Sequence, residues 1–104
     1  MAKVKVLFYL PLRDNDGREL FADIEVVRTE LFVRFDGWTF SGYVEGAYRM
    51  ADGTRALDQS AAYVVVLEES RIAELEQVLQ DFKGKTTQEA IYLEVHRTVE
   101  VRFL

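Results

Sequence analysis

The chain has 104 residues, no cysteine, one histidine and a formal charge of −5 from 18 acidic against 13 basic side chains. That length fits a single domain spanning 1–104, which buries roughly 65% of its unfolded surface in one core. The lack of thiols excludes disulfides, thiolate nucleophiles and cysteine-ligated zinc or iron–sulfur centres, and the acidic balance argues against nucleic acid as a partner.

The first element is a strand. Val4, Val6, Phe8 and Leu10 alternate with Lys3, Lys5, Leu7 and Tyr9, so one face is apolar throughout. Pro11 cannot donate to a sheet ladder and is expected to end it. The same run is too short, and too interrupted by Lys5, to be the core of a signal peptide. No stretch reaches the ~20 apolar residues of a membrane helix. The expected location is therefore the cytoplasm, with no membrane partner. Asp14-Asn15-Asp16-Gly17 reads as a turn.

From Leu20 the period changes. Leu20, Ile24, Val27, Leu31 and Phe35 step by three and four, the spacing of one helical face. Gly37 stands where a left-handed helix cap favours glycine. Phe21, Val26 and Phe32 widen the apolar surface beyond that stripe. Residues 38–50 are rich in strand formers, with Gly42 and Gly46 as candidate bulges or close-approach points. Asp52-Gly53 predicts a two-residue hairpin turn that sets Tyr48 opposite Leu57. The return strand runs into Tyr63-Val64-Val65-Val66-Leu67, an apolar run suited to a central strand. Ser70 is the expected cap of a second helix, whose apolar face is Ile72, Leu75, Leu79 and Phe82 and whose stop is Gly84. Residues 89–103 keep one parity of apolar residues and predict one long strand or two short ones.

The order strand, helix, strand, strand, helix, strand predicts an α+β fold. It is the ferredoxin-like β-α-β-β-α-β plait, an antiparallel sheet with two helices on one face. The other face is then open, with Leu7, Tyr9, Tyr43 and Tyr92 as its expected apolar residues. An open apolar face predicts a homo-oligomer, a dimer or trimer.

Several short motifs carry a resemblance. They are Phe35-Asp36-Gly37-Trp38-Thr39, Gly42-Tyr43-Val44-Glu45-Gly46, Asp58-Gln59-Ser60, and Gln88-Glu89-Ala90-Ile91-Tyr92-Leu93-Glu94. In them the chain resembles uncharacterised small bacterial proteins with a PII-like or related ferredoxin-like fold. The resemblance implies the fold but no activity. The long loop of PII signalling proteins corresponds in place to residues 45–60. Their glycine-rich phosphate segment has no counterpart in Lys83-Gly84-Lys85-Thr86-Thr87, so ATP binding in the PII manner is not implied.

No Gly-x-Ser-x-Gly elbow, Walker loop or Rossmann fingerprint is present. No cofactor, metal site or catalytic residue is expected. His96 has Glu94 and Thr98 as neighbours two residues away, but a single histidine on a polar strand face reads first as solvated. Glu45, Glu94 and Glu100 would need unequal environments to act as an acid–base pair. The best pocket candidate is Trp38, Tyr43, Gly46, Tyr48 and Arg49, where aromatic walls and a guanidinium offer an anion clamp. Against it stands a hairpin held by cross-strand aromatic pairs. The expected ligand-binding set is Trp38, Tyr43, Gly46, Arg49, Lys85 and His96. The first functional expectation is a non-catalytic interaction or regulatory module whose 45–60 hairpin meets a protein or small-anion partner. Two alternatives remain: a small enzyme of the dimeric α+β-barrel type, and a PII-like small-molecule sensor with a cavity near Arg49 and Lys85.

Overall fold

The structure is a computed structural model and describes residues 2–104. Strand β1 (Lys3–Pro11) leads to helix α1 (Phe21–Phe35), then to β2 (Thr39–Arg49) and β3 (Arg55–Glu68). A 3-10 turn (Glu69–Arg71) opens helix α2 (Ile72–Gly84), and β4 (Leu93–His96) closes the order. The sheet runs β2-β3-β1-β4 with every neighbouring pair antiparallel. This is the ferredoxin-like plait.

Strand alternation decides where the core lies. Val4, Val6, Phe8 and Leu10 of β1 are buried, as are Ala61, Tyr63, Val65 and Leu67 of β3. They meet Ile24, Val27, Leu31 and Phe35 of α1 and Leu75, Leu79 and Phe82 of α2 in one cluster. Both helices thus pack on one face of the sheet. No described helix is long and apolar enough to cross a membrane.

Several local features differ from the sequence expectation. The hairpin loop has three residues, not two. Met50 N–H donates to the Thr54 carbonyl at 2.7 Å, Gly53 adopts φ 87°, and the Asp52 carboxylate takes the Thr54 N–H at 2.9 Å. The added residue slips the register by one, so Tyr48 faces Ala56 and Gly46 faces Asp58. A bulge between Phe40 and Gly42, with Gly42 at φ 126°, switches the parity of β2. Phe40 pairs with Tyr63 and Tyr43 with Ala61, so Tyr43 belongs to the helix-side face and not the outer one. Its ring meets Phe40 edge-on at 5.1 Å.

The helix ends also depart from expectation. Asp36, not Gly37, takes the left-handed conformation after α1 (φ 67°) and donates its N–H to the Phe32 carbonyl, a conformation that aspartate tolerates better than most residues. Ser70 caps nothing: it lies inside the 3-10 turn, and α2 has no side-chain cap. Pro11 ends β1 from within the strand, paired with Ser60. β4 has only four residues. Beyond it Arg97 turns to the Glu69 carboxylate, and residues 97–104 join no described strand.

Candidate functional site

The outer sheet face carries Leu7 and Tyr9 of β1, Asp58, Ser60, Val64 and Val66 of β3, and Val44, Gly46 and Tyr48 of β2, placed by register. Leu7, Tyr9, Val44, Val64 and Val66 are each half-buried. No described helix covers them, since both helices belong to the core on the other side.

At one end of this face lies a cleft of about 470 Å³. It opens where β1 stops, the β2–β3 hairpin projects, and segment 88–93 passes by. Tyr9 and Tyr92 form one wall, stacked with ring centroids 4.8 Å apart and planes 16° from parallel. Tyr48 forms another. Its phenol folds back along β2 over Gly46, where a Cβ would come within 2.6 Å of the hydroxyl oxygen. The ring can take this position because residue 46 has no side chain, and a Cβ there would push it aside. Gly46 pairs with Asp58, so the phenol lies over the cross-strand partner of Asp58, and both side chains line the cleft.

The cleft's outer wall is held by side chain to backbone bonds across long sequence separations. Asp14 is buried and its Oδ1 accepts N–H bonds from Asp16 and Arg18, each 3.0 Å, which shapes the 13–18 turn. That turn grips the segment after α2. The Asn15 amide donates to the Thr87 carbonyl at 2.7 Å, and Arg18 donates to the Lys85 carbonyl at 2.7 Å. The Gln88 amide reaches back to the Arg13 carbonyl at 3.3 Å. At the far end the Glu89 carboxylate accepts the Ala51 N–H at 3.4 Å and ties the segment to the hairpin.

A hydrogen-bonded row leaves the cleft along β4. The Tyr92 hydroxyl donates to Glu94 Oε1 at 2.7 Å, and Glu94 Oε2 lies 3.0 Å from His96 Nε2. The Tyr92 phenol is pushed above its ordinary value, first by this bond, which holds the neutral form. The Glu94 carboxyl is lowered, first by the Tyr92 hydroxyl and then by His96. All three residues lie at the surface.

The six expected ligand residues do not converge. Arg49 lines the cleft and Gly46 lies under its Tyr48 wall. Alternation sets Arg49 on the opposite face of β2 from Tyr48, and its guanidinium donates to the Gly53 carbonyl at 3.3 Å. Trp38 packs against the core with the Arg28 guanidinium 4.6 Å over its ring, and Arg28 also donates to the Tyr63 hydroxyl at 2.8 Å. Tyr43 is exposed beside Phe40. Lys85 borders a smaller hollow, about 140 Å³, between the helices. His96 lies four residues along β4 from the cleft wall. Tyr9, Asp58, Ser60 and Tyr92 line the cleft and were missing from the expected set. Their sequence signals are the shared outer face expected of Tyr9 and Tyr92 and the common parity of 92, 94 and 96. Among the described residues no group of three or more His, Asp or Glu side chains is placed to hold a metal ion.

Comparison with protein-family models returns no match, and comparison with curated proteins returns none. The fold is similar to solved structures. A phage SAM lyase in complex with S-methyl-5′-thioadenosine superposes with a TM-score of 0.68 at 14% identity, over 92% of this chain and 81% of that one. The divalent ion tolerance protein CutA1 from Ehrlichia chaffeensis superposes with a TM-score of 0.62 at 7% identity, over 98% of this chain and 87% of that one. At these identities the likeness is one of fold.

Proposed function

We propose that this chain is a homo-oligomeric regulatory module that binds a small molecule and performs no chemistry on it. The observation that carries this reading is the contiguity of an uncovered apolar sheet face with the 470 Å³ cleft at its margin. A half-buried row such as Leu7, Val64 and Val66 loses more surface to water when a second copy covers it. The cleft then lies beside the subunit boundary, where binding and assembly influence one another. Its tyrosine walls and few convergent polar groups suit an organic ligand. The phage lyase, similar in fold, is seen with a nucleoside thioether, so a plait of this size accommodates such a molecule.

A second reading, a small enzyme, is favoured by the Tyr92–Glu94–His96 row, since a phenol, carboxylate and imidazole in hydrogen-bond sequence can move a proton. The row's exposure favours the first reading, because general acid–base groups act best where water is excluded.

The test is molar mass by light scattering across a range of concentrations. The expected result is a stable multiple of 12.0 kDa. A mass of 12.0 kDa at every concentration refutes the oligomer and leaves the cleft to be examined in a monomer.

A further inference from the structure

The polar groups around the cleft are unequally committed. The Arg49 guanidinium donates to Gly53, the Asn15 and Gln88 amides to Thr87 and Arg13, and the Glu89 carboxylate accepts from Ala51. Asp58 has neither a hydrogen bond nor an ion pair from its carboxylate to any described residue. It is half-buried in the middle of a strand, on the outer face. Its carboxylate keeps its acceptor positions open and borders a cleft walled in part by the rings of Tyr9, Tyr48 and Tyr92.

We infer that the cleft binds a small organic cation, an amine or quaternary ammonium compound, with Asp58 as its counter-ion. This deepens the small-molecule reading above and rests on it. Two independent features converge on the same ligand chemistry. Asp58 supplies a negative charge with open acceptor positions. The rings of Tyr9, Tyr48 and Tyr92 supply π faces, which attract a cation by their quadrupole and cover the apolar body of the molecule. Tyr48 lies over Gly46, the cross-strand partner of Asp58, so ring and carboxylate border the same part of the cleft.

An anionic ligand fits the same cleft poorly. The lining carries two carboxylates, Asp58 and Glu89, against one guanidinium, and that guanidinium is engaged with the hairpin carbonyl. The chain's net charge of −5 acts in the same sense at long range. The anion clamp expected from Arg49 is therefore replaced by its electrostatic opposite. Lys85 contributes its carbonyl to Arg18 rather than its ammonium to the cleft.

The experiment is an NMR titration of the full chain with 2-phenylethylamine, with the neutral isostere 2-phenylethanol and with ATP, in the wild type and in Asp58→Asn. The amine is expected to shift resonances of residues around the cleft and to bind about tenfold or more tightly than the alcohol. Asp58→Asn is expected to reduce the amine to the alcohol's affinity while leaving alcohol binding and thermal stability unchanged, since the native carboxylate has no partner to lose. Gly46→Ala, which displaces the Tyr48 ring, is expected to weaken both ligands. Equal affinity for amine and alcohol, or an amine affinity unmoved by Asp58→Asn, overturns the cation inference while the small-molecule reading stands. Tighter binding of ATP than of the amine overturns it likewise. Failure of all three ligands to shift the cleft overturns both.

Discussion

The two faces of one sheet are built by alternate residues of the same strands, yet they differ in almost every physical respect. On the helix side Phe8, Tyr63 and Val65 are essentially fully buried, and the Phe8 and Tyr63 rings stack at 6.0 Å. On the outer side Tyr9, Val64 and Val66 are half-buried, and the Tyr9 ring stacks on Tyr92 at the edge of a cleft. Moving one residue along β1 or β3 exchanges a position that holds the fold for one that can meet a partner. A substitution's effect therefore depends on parity more than on its place along the chain.

The sharpest way to break this comparison is to truncate one residue of each parity. Phe8→Ala removes a ring from the closed core and is expected to cost about 3–5 kcal/mol of stability. A lower midpoint at unchanged slope in urea unfolding is the sign to look for. Leu7→Asp, the adjacent residue on the open face, is expected to leave the monomer folded, with near-native circular dichroism, and to reduce the mass in light scattering to 12.0 kDa. If Leu7→Asp unfolds the chain as severely as Phe8→Ala, the outer face is a second core and not an interface.

The smallest effect lies in the Tyr92–Glu94 pair. A raised phenol value means that the bond's contribution is fully present below the ordinary tyrosine value of 10.0 and is lost as pH rises through the higher folded value. The lowered carboxyl works in the other direction. Its contribution is present above 4.5 and is lost as pH falls through the folded value below that. Absorbance titration is expected to show one of the five tyrosines ionising late, and Tyr92→Phe is expected to remove that late step. The same substitution moves the Glu94 titration, followed by carboxyl NMR, back toward 4.5. An unchanged late step in Tyr92→Phe would assign it to another ring.

The order and type of the elements were legible because hydrophobic period and length decide them. β1, both helices and the valine run all declare themselves by spacing alone. What escaped were single-residue events. Asp52-Gly53 signalled a turn correctly, but the N–H of Met50 reaches Thr54 and adds Ala51 to the loop. That one residue moved Tyr48 from a place opposite Leu57 to one opposite Ala56 and put Asp58 on its face. The bulge beyond Phe40 carried Tyr43 to the other side in the same way. The cleft residues stayed hidden because register, not composition, brings Tyr9, Tyr48, Asp58 and Tyr92 together. Arg28 and Trp38 were equally hidden, since a guanidinium over a ring from a distant helix leaves no periodic trace.

The Tyr48 ring lying on Gly46 has a genetic consequence. The two positions are not free to vary separately. A side chain at 46 displaces the ring while 48 is aromatic, because its first carbon would occupy the phenol's place. Once 48 is small, alanine at 46 no longer meets the phenol and gains the usual advantage of a less flexible backbone. Gly46→Ala thus moves the cleft wall in one background and has no wall to move in the other, an epistasis written into two residues on one strand. A mutational walk that restores the wall needs glycine at 46 as well as an aromatic ring at 48.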